Sequence, residues 1–245
     1  MNDRLKPQVT TQDRSAATPD RLLYIRSFLV MRIAIGAFGV IMPVSLVLVD
    51  RFLHENPLLR DSLSAYYHSG VRDIFVGTLC IIAIFLVSYK VLERNLDNTL
   101  STLAGVAAVT VAFFPTGLPD ASVLLPTPLQ LRLNENVVEA IHYVAAAIFI
   151  ISLAVLSFYF GVREASRPIR KGMHHSPTWW RNYHWTCAGI IAAALVFMGI
   201  FGRSDPPNRA LFYGETASIW AFGASWFMKG LELDALRRIH KRTHD

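Results

Sequence analysis

The chain has 245 residues, 53% of them apolar and 17% charged, against a charged share of roughly 25% in ordinary soluble domains. Its net charge is +6 and its mean hydropathy +0.35. These values exclude a disordered chain and argue against a soluble enzyme; if the apolar residues fall in long runs, the chain reads as an integral membrane protein.

Residues 1–22 carry Pro7, Pro19 and mixed charges. They have neither the apolar stretch nor the small-residue cleavage site of a secretory signal, so a disordered tail is expected. Six apolar segments follow within residues 23–232: Ser27 to Val49, Val71 to Tyr89, Thr99 to Thr116, Val137 to Gly161, Tyr183 to Gly202 and Leu211 to Leu231. Each is close to the length of about 20 residues that a spanning helix needs. Hydrocarbon offers the backbone no hydrogen-bond partner, so the segments are expected to be helices and the fold an all-α bundle of six spans. Small residues such as Ala104 with Ala108, and Gly189 with Ala193, are spaced for close helix packing.

Lys and Arg concentrate in the N-terminal tail, in the connections after the second and fourth segments, and at the C-terminus. The opposite side holds six: Arg51, Arg60, Arg72, Arg132, Arg203 and Arg209. This bias predicts both termini in the cytoplasm, which requires an even number of spans. Trp179, Trp180, Tyr183 and Trp185 would anchor the fifth span at the cytoplasmic interface. Residues 233–245 form a basic tail with Arg237, Arg238, Lys241 and Arg242. Such juxtamembrane charge suits anionic lipid heads, and no nucleic-acid partner is expected. Cys80 and Cys187 fall at different depths and are expected to stay unpaired.

Polar residues collect at the external helix ends. Ser64, Tyr66, Tyr67 and His68 precede Arg72 and Asp73 at the second span. Glu139 and His142 open the fourth, Glu215 lies about one turn into the sixth, and Asp120 follows the third. Glu139 and His142 are three apart and share a helix face. Arg72 with Glu139 or Glu215 would make an ion pair, and Glu215 is expected to pair with Arg72 or His142. Asp73 suits a helix N-terminus. Residues 117–136, with Pro119, Pro126 and Pro128, are expected to cap the bundle as an irregular loop or short helix. At the cytoplasmic ends, Lys229 reads as a terminal lysine and Asp97 or Asn98 as a cap of the third helix. Those halves look too apolar for a polar path, and only one histidine, His142, lies clearly within a span.

A site of His68, His142 and one carboxylate would offer three metal ligands and an open position, the catalytic zinc arrangement, in which a bound water becomes a nucleophile. Ser64-Ala-Tyr-Tyr-His68 has the form Ser-x-x-x-His. It resembles one piece of the superfamily of alkaline ceramidases and progestin/adiponectin receptors, where a Ser, an Asp and three His build a zinc site. The family's later His-x-x-x-His pair has no counterpart here. The resemblance implies Ser64, His68, Asp73 and His142 as catalytic residues, with His68, His142 and Asp73 holding zinc; Asp120 is the alternative to Asp73 as the acid. A broader resemblance rests on Ser64, Tyr66, Arg72-Asp73-x-Phe75-Val76-Gly77, Tyr89-Lys90, Asp97, Ala104-Gly105, Phe114-Pro115-Thr116, His142 and the closing Trp220-Ala-Phe-Gly-x-Ser-Trp-x-x-Lys-Gly230. It is similar to a family of bacterial multi-pass inner-membrane proteins of unknown function. That similarity implies a bacterial inner membrane and supplies no activity.

Three functions follow as expectations. The first is binding of a lipid, or of a protein partner or second copy, through the external cluster of Tyr66, Arg72, Glu139 and Glu215, with no cofactor. The second is zinc-dependent hydrolysis of lipid amides or esters. The third is a small transporter or channel.

Overall fold

The computed structural model describes residues 19–54, 59–89, 96–118, 125–166, 176–203 and 209–242. The expected disordered tail, up to residue 18, and Asp120 lie outside them. Among the described residues the fold is all-helical, with no strand. Its α-helices are α1 (Pro19–His54), α2 (Arg72–Ser88), α3 (Leu96–Phe113), α4 (Pro128–Leu133), α5 (Glu135–Ala165), α6 (Pro177–Phe201) and α7 (Ala210–Arg242), and a single 3-10 turn covers Ser64–His68. Four helices are long and apolar enough to cross a membrane: α1 over Leu29–Leu53, α3, α5 and α6. The outermost helices exceed their expected segments. α1 begins at Pro19, and α7 continues as helix to Arg242 through the stretch expected as a tail.

The six long helices form a closed ring. Neighbours in sequence pack side by side, α7 returns to α1, and α5 also touches α7 across the middle. The core runs down the axis through Ile35, Met42, Leu79, Phe149, Leu153 and Trp226. The outer faces stay apolar, with Val30, Ile41, Ile84, Val106, Ile151, Val196 and Ile200 exposed. Soluble proteins rarely leave so much apolar surface uncovered.

Glycine decides how α1 meets α7. A Cβ on Gly36 would lie 2.7 Å from the Gly223 carbonyl and from Phe227, and a Cβ on Gly223 would lie 2.9 Å from the Gly36 carbonyl. The two backbones cross where only hydrogen fits between them. Gly230 sits against Arg32 and Ile33, and Trp220 Nε1 donates to the Val40 carbonyl at 3.0 Å. The pair is therefore antiparallel. One end of the ring, the tail end, holds the start of α1 and the finish of α7. The other, the cap end, holds the 3-10 turn and α4. Ala104 and Ala108 are buried as their spacing predicts, whereas Gly189 faces open space.

α4 is the short helix expected in the cap. Thr127 and Gln130 close a capping box at its start, satisfying two backbone donors that a helix end leaves orphaned. Asn134, at φ 72°, turns the chain directly into α5, and its side chain accepts from the Asn136 amide.

Candidate functional site

The cap end is fastened by the side chains that the sequence marks as a site. Glu215 accepts from the Leu63 amide at 2.6 Å, and the Ser64 amide reaches the same carboxylate. The expected partners Arg72 and His142 are not the ones it uses. This half-buried carboxylate, one turn inside α7, satisfies two amides that open the 3-10 turn, which is a backbone solution to a charge held inside a helix bundle. Arg60 grips Asp50 at the end of α1 with two hydrogen bonds of 3.0 and 3.2 Å, and its guanidinium covers Tyr66, which is buried. Arg72 donates to Tyr67 Oη rather than to Glu139. Glu139 instead accepts from Tyr143 Oη at 3.1 Å.

Both histidines hold the end of α3. His68 Nε2 lies 3.0 Å from the Thr116 carbonyl, and His142 Nδ1 lies 2.6 Å from the Phe114 carbonyl. A carbonyl only accepts, so each of these nitrogens carries a proton. Gln130 donates to the same Thr116 oxygen at 3.3 Å. Burial pushes the His68 imidazole below its ordinary value, more than the Thr116 bond raises it, and Arg72 adds to the lowering. Asp73 is exposed in the first turn of α2, where the helix dipole suits it. Among the described residues no three His, Cys, Asp or Glu side chains converge as metal ligands. His68, Asp73 and His142 form no such group in this arrangement.

A different cluster lies near the tail end, where the sequence reading placed ordinary terminal charges. Asp97, in the first turn of α3, is fully buried and paired with Arg163 of α5. It is no solvent-facing cap. The next residue, Glu164, points about 100° away around the helix, is also fully buried, and pairs with Lys229 of α7. Lys229 is only 3% exposed. On α1, the buried Arg32 donates to Tyr89 Oη. On α6, the fully buried His184 sets Nδ1 2.8 Å from Ser225 Oγ. His142 is accordingly not the only histidine inside a long apolar helix.

The local sequence explains the convergence. Ser225 and Trp226 lie four and three residues before Lys229, so each neighbours it on α7. Phe160 and Glu164 are likewise neighbours on α5. Trp226 is fully buried, with its ring 5.0 Å from Tyr89 and 5.0 Å from Phe160. These aromatic walls keep water from the Lys229–Glu164 pair. Ser157 Oγ and Trp226 Nε1 are buried without a hydrogen-bond partner among the described residues.

Two small voids lie along the axis below the cap. One, of about 30 Å³, touches Ser64 and Glu215 at the cap and Met42, Leu79, Phe149 and Ile219 along the axis. A second, of about 10 Å³, shares those four axial residues and reaches Ile82, Leu153 and Phe222. Phe222 in turn packs on Trp226 at 5.1 Å. A void of roughly 10–15 Å³ holds one water, so the axis is closed to solutes in this conformation but is not filled.

Neither family models, curated proteins nor solved structures yield a match to this chain.

Proposed function

We propose that the chain is a six-span protein of a bacterial inner membrane, with both termini in the cytoplasm, that works as a small proton-linked transporter. The α2 helix, 17 residues long, and the apolar first part of α7 supply the fifth and sixth spans beside the four helices that are both long and apolar enough to cross. The Lys and Arg bias supplies the orientation.

One observation carries the transport reading: Glu164 and Lys229 form a wholly buried ion pair inside the bundle. Desolvating two such ions costs several kcal/mol each, and apolar side chains of like volume would pack as well or better. Ionisable groups kept inside a spanning bundle mark ion and proton pathways. A proton arriving at Glu164 neutralises the charge that faces Lys229. The lost attraction favours an arrangement in which Lys229 meets water or an anionic solute. Glu215 offers a second carboxylate at the far end of the axial voids.

Purified protein in vesicles loaded with a pH-sensitive dye tests this. A panel of carboxylates, amino acids, sugars and monovalent ions is added outside. At least one class should drive proton movement several-fold faster than in protein-free vesicles, and Glu164→Gln should abolish it. Rates equal to protein-free vesicles for every class would overturn the reading.

Binding of a lipid or protein partner at the cap is the second reading. Arg72 and Asp73 favour it, since both stay exposed and Arg72 lies beside Tyr67.

A further inference from the structure

A cavity lies on the outer face of the molecule. It is a groove of about 440 Å³ between α5 and α6, walled by Phe158 and Trp185 and floored by Ala154, Ala188, Gly189 and Ala192. The floor is made of small residues, of which Gly189 and Ala192 are exposed. A Cβ on Gly189 would find no heavy atom within 4 Å. The wall, by contrast, is built. Gly161 leaves room for the Trp185 indole to lie across α5, where it stacks on Phe158 at 5.6 Å with the rings nearly parallel. Arg181, one turn closer to the start of α6, sets its guanidinium 4.9 Å over the Trp185 ring. It is held there by two hydrogen bonds to Asn182 of 3.1 and 3.0 Å.

We propose that this groove seats one anionic phospholipid of the cytoplasmic leaflet, with an acyl chain on the Ala188–Gly189–Ala192 floor and the phosphate at Arg181. Dimension and charge both fit. Arg181 to Ala192 is eleven residues of helix, about 16 Å at a rise of 1.5 Å per residue. One leaflet of a hydrocarbon core about 30 Å thick is about 15 Å deep. A guanidinium matches phosphate bidentately, and a tryptophan beside it belongs at the level of the headgroups. The seat rests on the membrane reading above and is independent of transport.

Native mass spectrometry of the full chain, released from mild detergent, tests the seat. Phosphatidylglycerol and phosphatidylethanolamine are supplied in equal amounts. The wild type should retain about one lipid per chain, with phosphatidylglycerol preferred several-fold. Gly189→Leu fills the floor and should lower retention at least tenfold without lowering Tm. Arg181→Gln should keep a lipid but lose the preference for phosphatidylglycerol. A wild-type chain that carries no lipid, or a Gly189→Leu chain that retains it equally, would overturn the seat. So would a lipid-free dimer that Gly189→Leu splits into monomers, because a second copy would then fill the groove. Recovery of the wild type in the soluble fraction would instead overturn the membrane reading.

Discussion

Nothing in the sequence marks Glu164, yet it occupies a costly position in the fold, fully buried beside Lys229. Its neighbour Arg163 disguises it. In the sequence the two look like a terminal ion pair, but adjacent residues on a helix diverge, and each finds a partner on a different helix. Removing one side of such a pair strands the other, at a cost of about 3–5 kcal/mol. Glu164→Leu and Lys229→Met should therefore each destabilise the protein by about that much. The double variant should lose less than the sum, because it leaves no uncompensated charge. Denaturant titration in detergent micelles measures this, and strict additivity would show that the two groups do not interact. His68 gives a pH prediction. Its folded-state value is depressed by burial, so the unfolded chain takes up a proton first as pH falls through about 6.5. Stability should be level above that pH and decline below it as the folded value is approached. His68→Gln should flatten the decline, which Tm measured between pH 7.5 and 5 would show. The sequence did reveal that Glu215, His68 and His142 were unusual. Their use in fastening loops could not be read there, since their partners are backbone groups and every residue has those.

At the level of elements, apolar runs located the long helices well, because a run of that length has one solution in hydrocarbon. Their ends were less legible. α1 and α7 extend beyond their apolar stretches, to Pro19 and to Arg242, and hydropathy alone carries no trace of those ends. Spacing of small residues was an ambiguous guide. Ala104 and Ala108 face the core, while Gly189 faces outward into the groove. Periodicity gives the face of a helix and not the identity of what covers it. The α1–α7 crossing supplies the element-scale test. Gly36→Leu has no room between the Gly223 carbonyl and Phe227, and overpacking of this kind typically costs 1–3 kcal/mol or more. Tm should fall by several degrees, in contrast to the insensitive Gly189→Leu. Equal behaviour of the two would mean that the crossing is loose.

For the molecule as a whole, the ring follows the chain, each long helix beside the next, so the order of the wall is that of the sequence. Its closure by α7 on α1, and the gathering of five helices around one ionic cluster near the tail end, are tertiary facts that no single segment announces. The proposed orientation puts that cluster on the cytoplasmic side. A reporter enzyme fused after Arg132 should be active only when exported, and a cytoplasmic signal there would invert the whole arrangement. Because α1 and α7 leave the ring at the same end, force applied to the two ends of the chain would load their contacts in series and not in parallel. Pulled from its termini in a bilayer, the protein should open like a zip. The outer turns of α1 and α7 would part first at low force. A single steep peak should follow when the rupture reaches the level of Arg32 and Lys229, before the glycine crossing gives way.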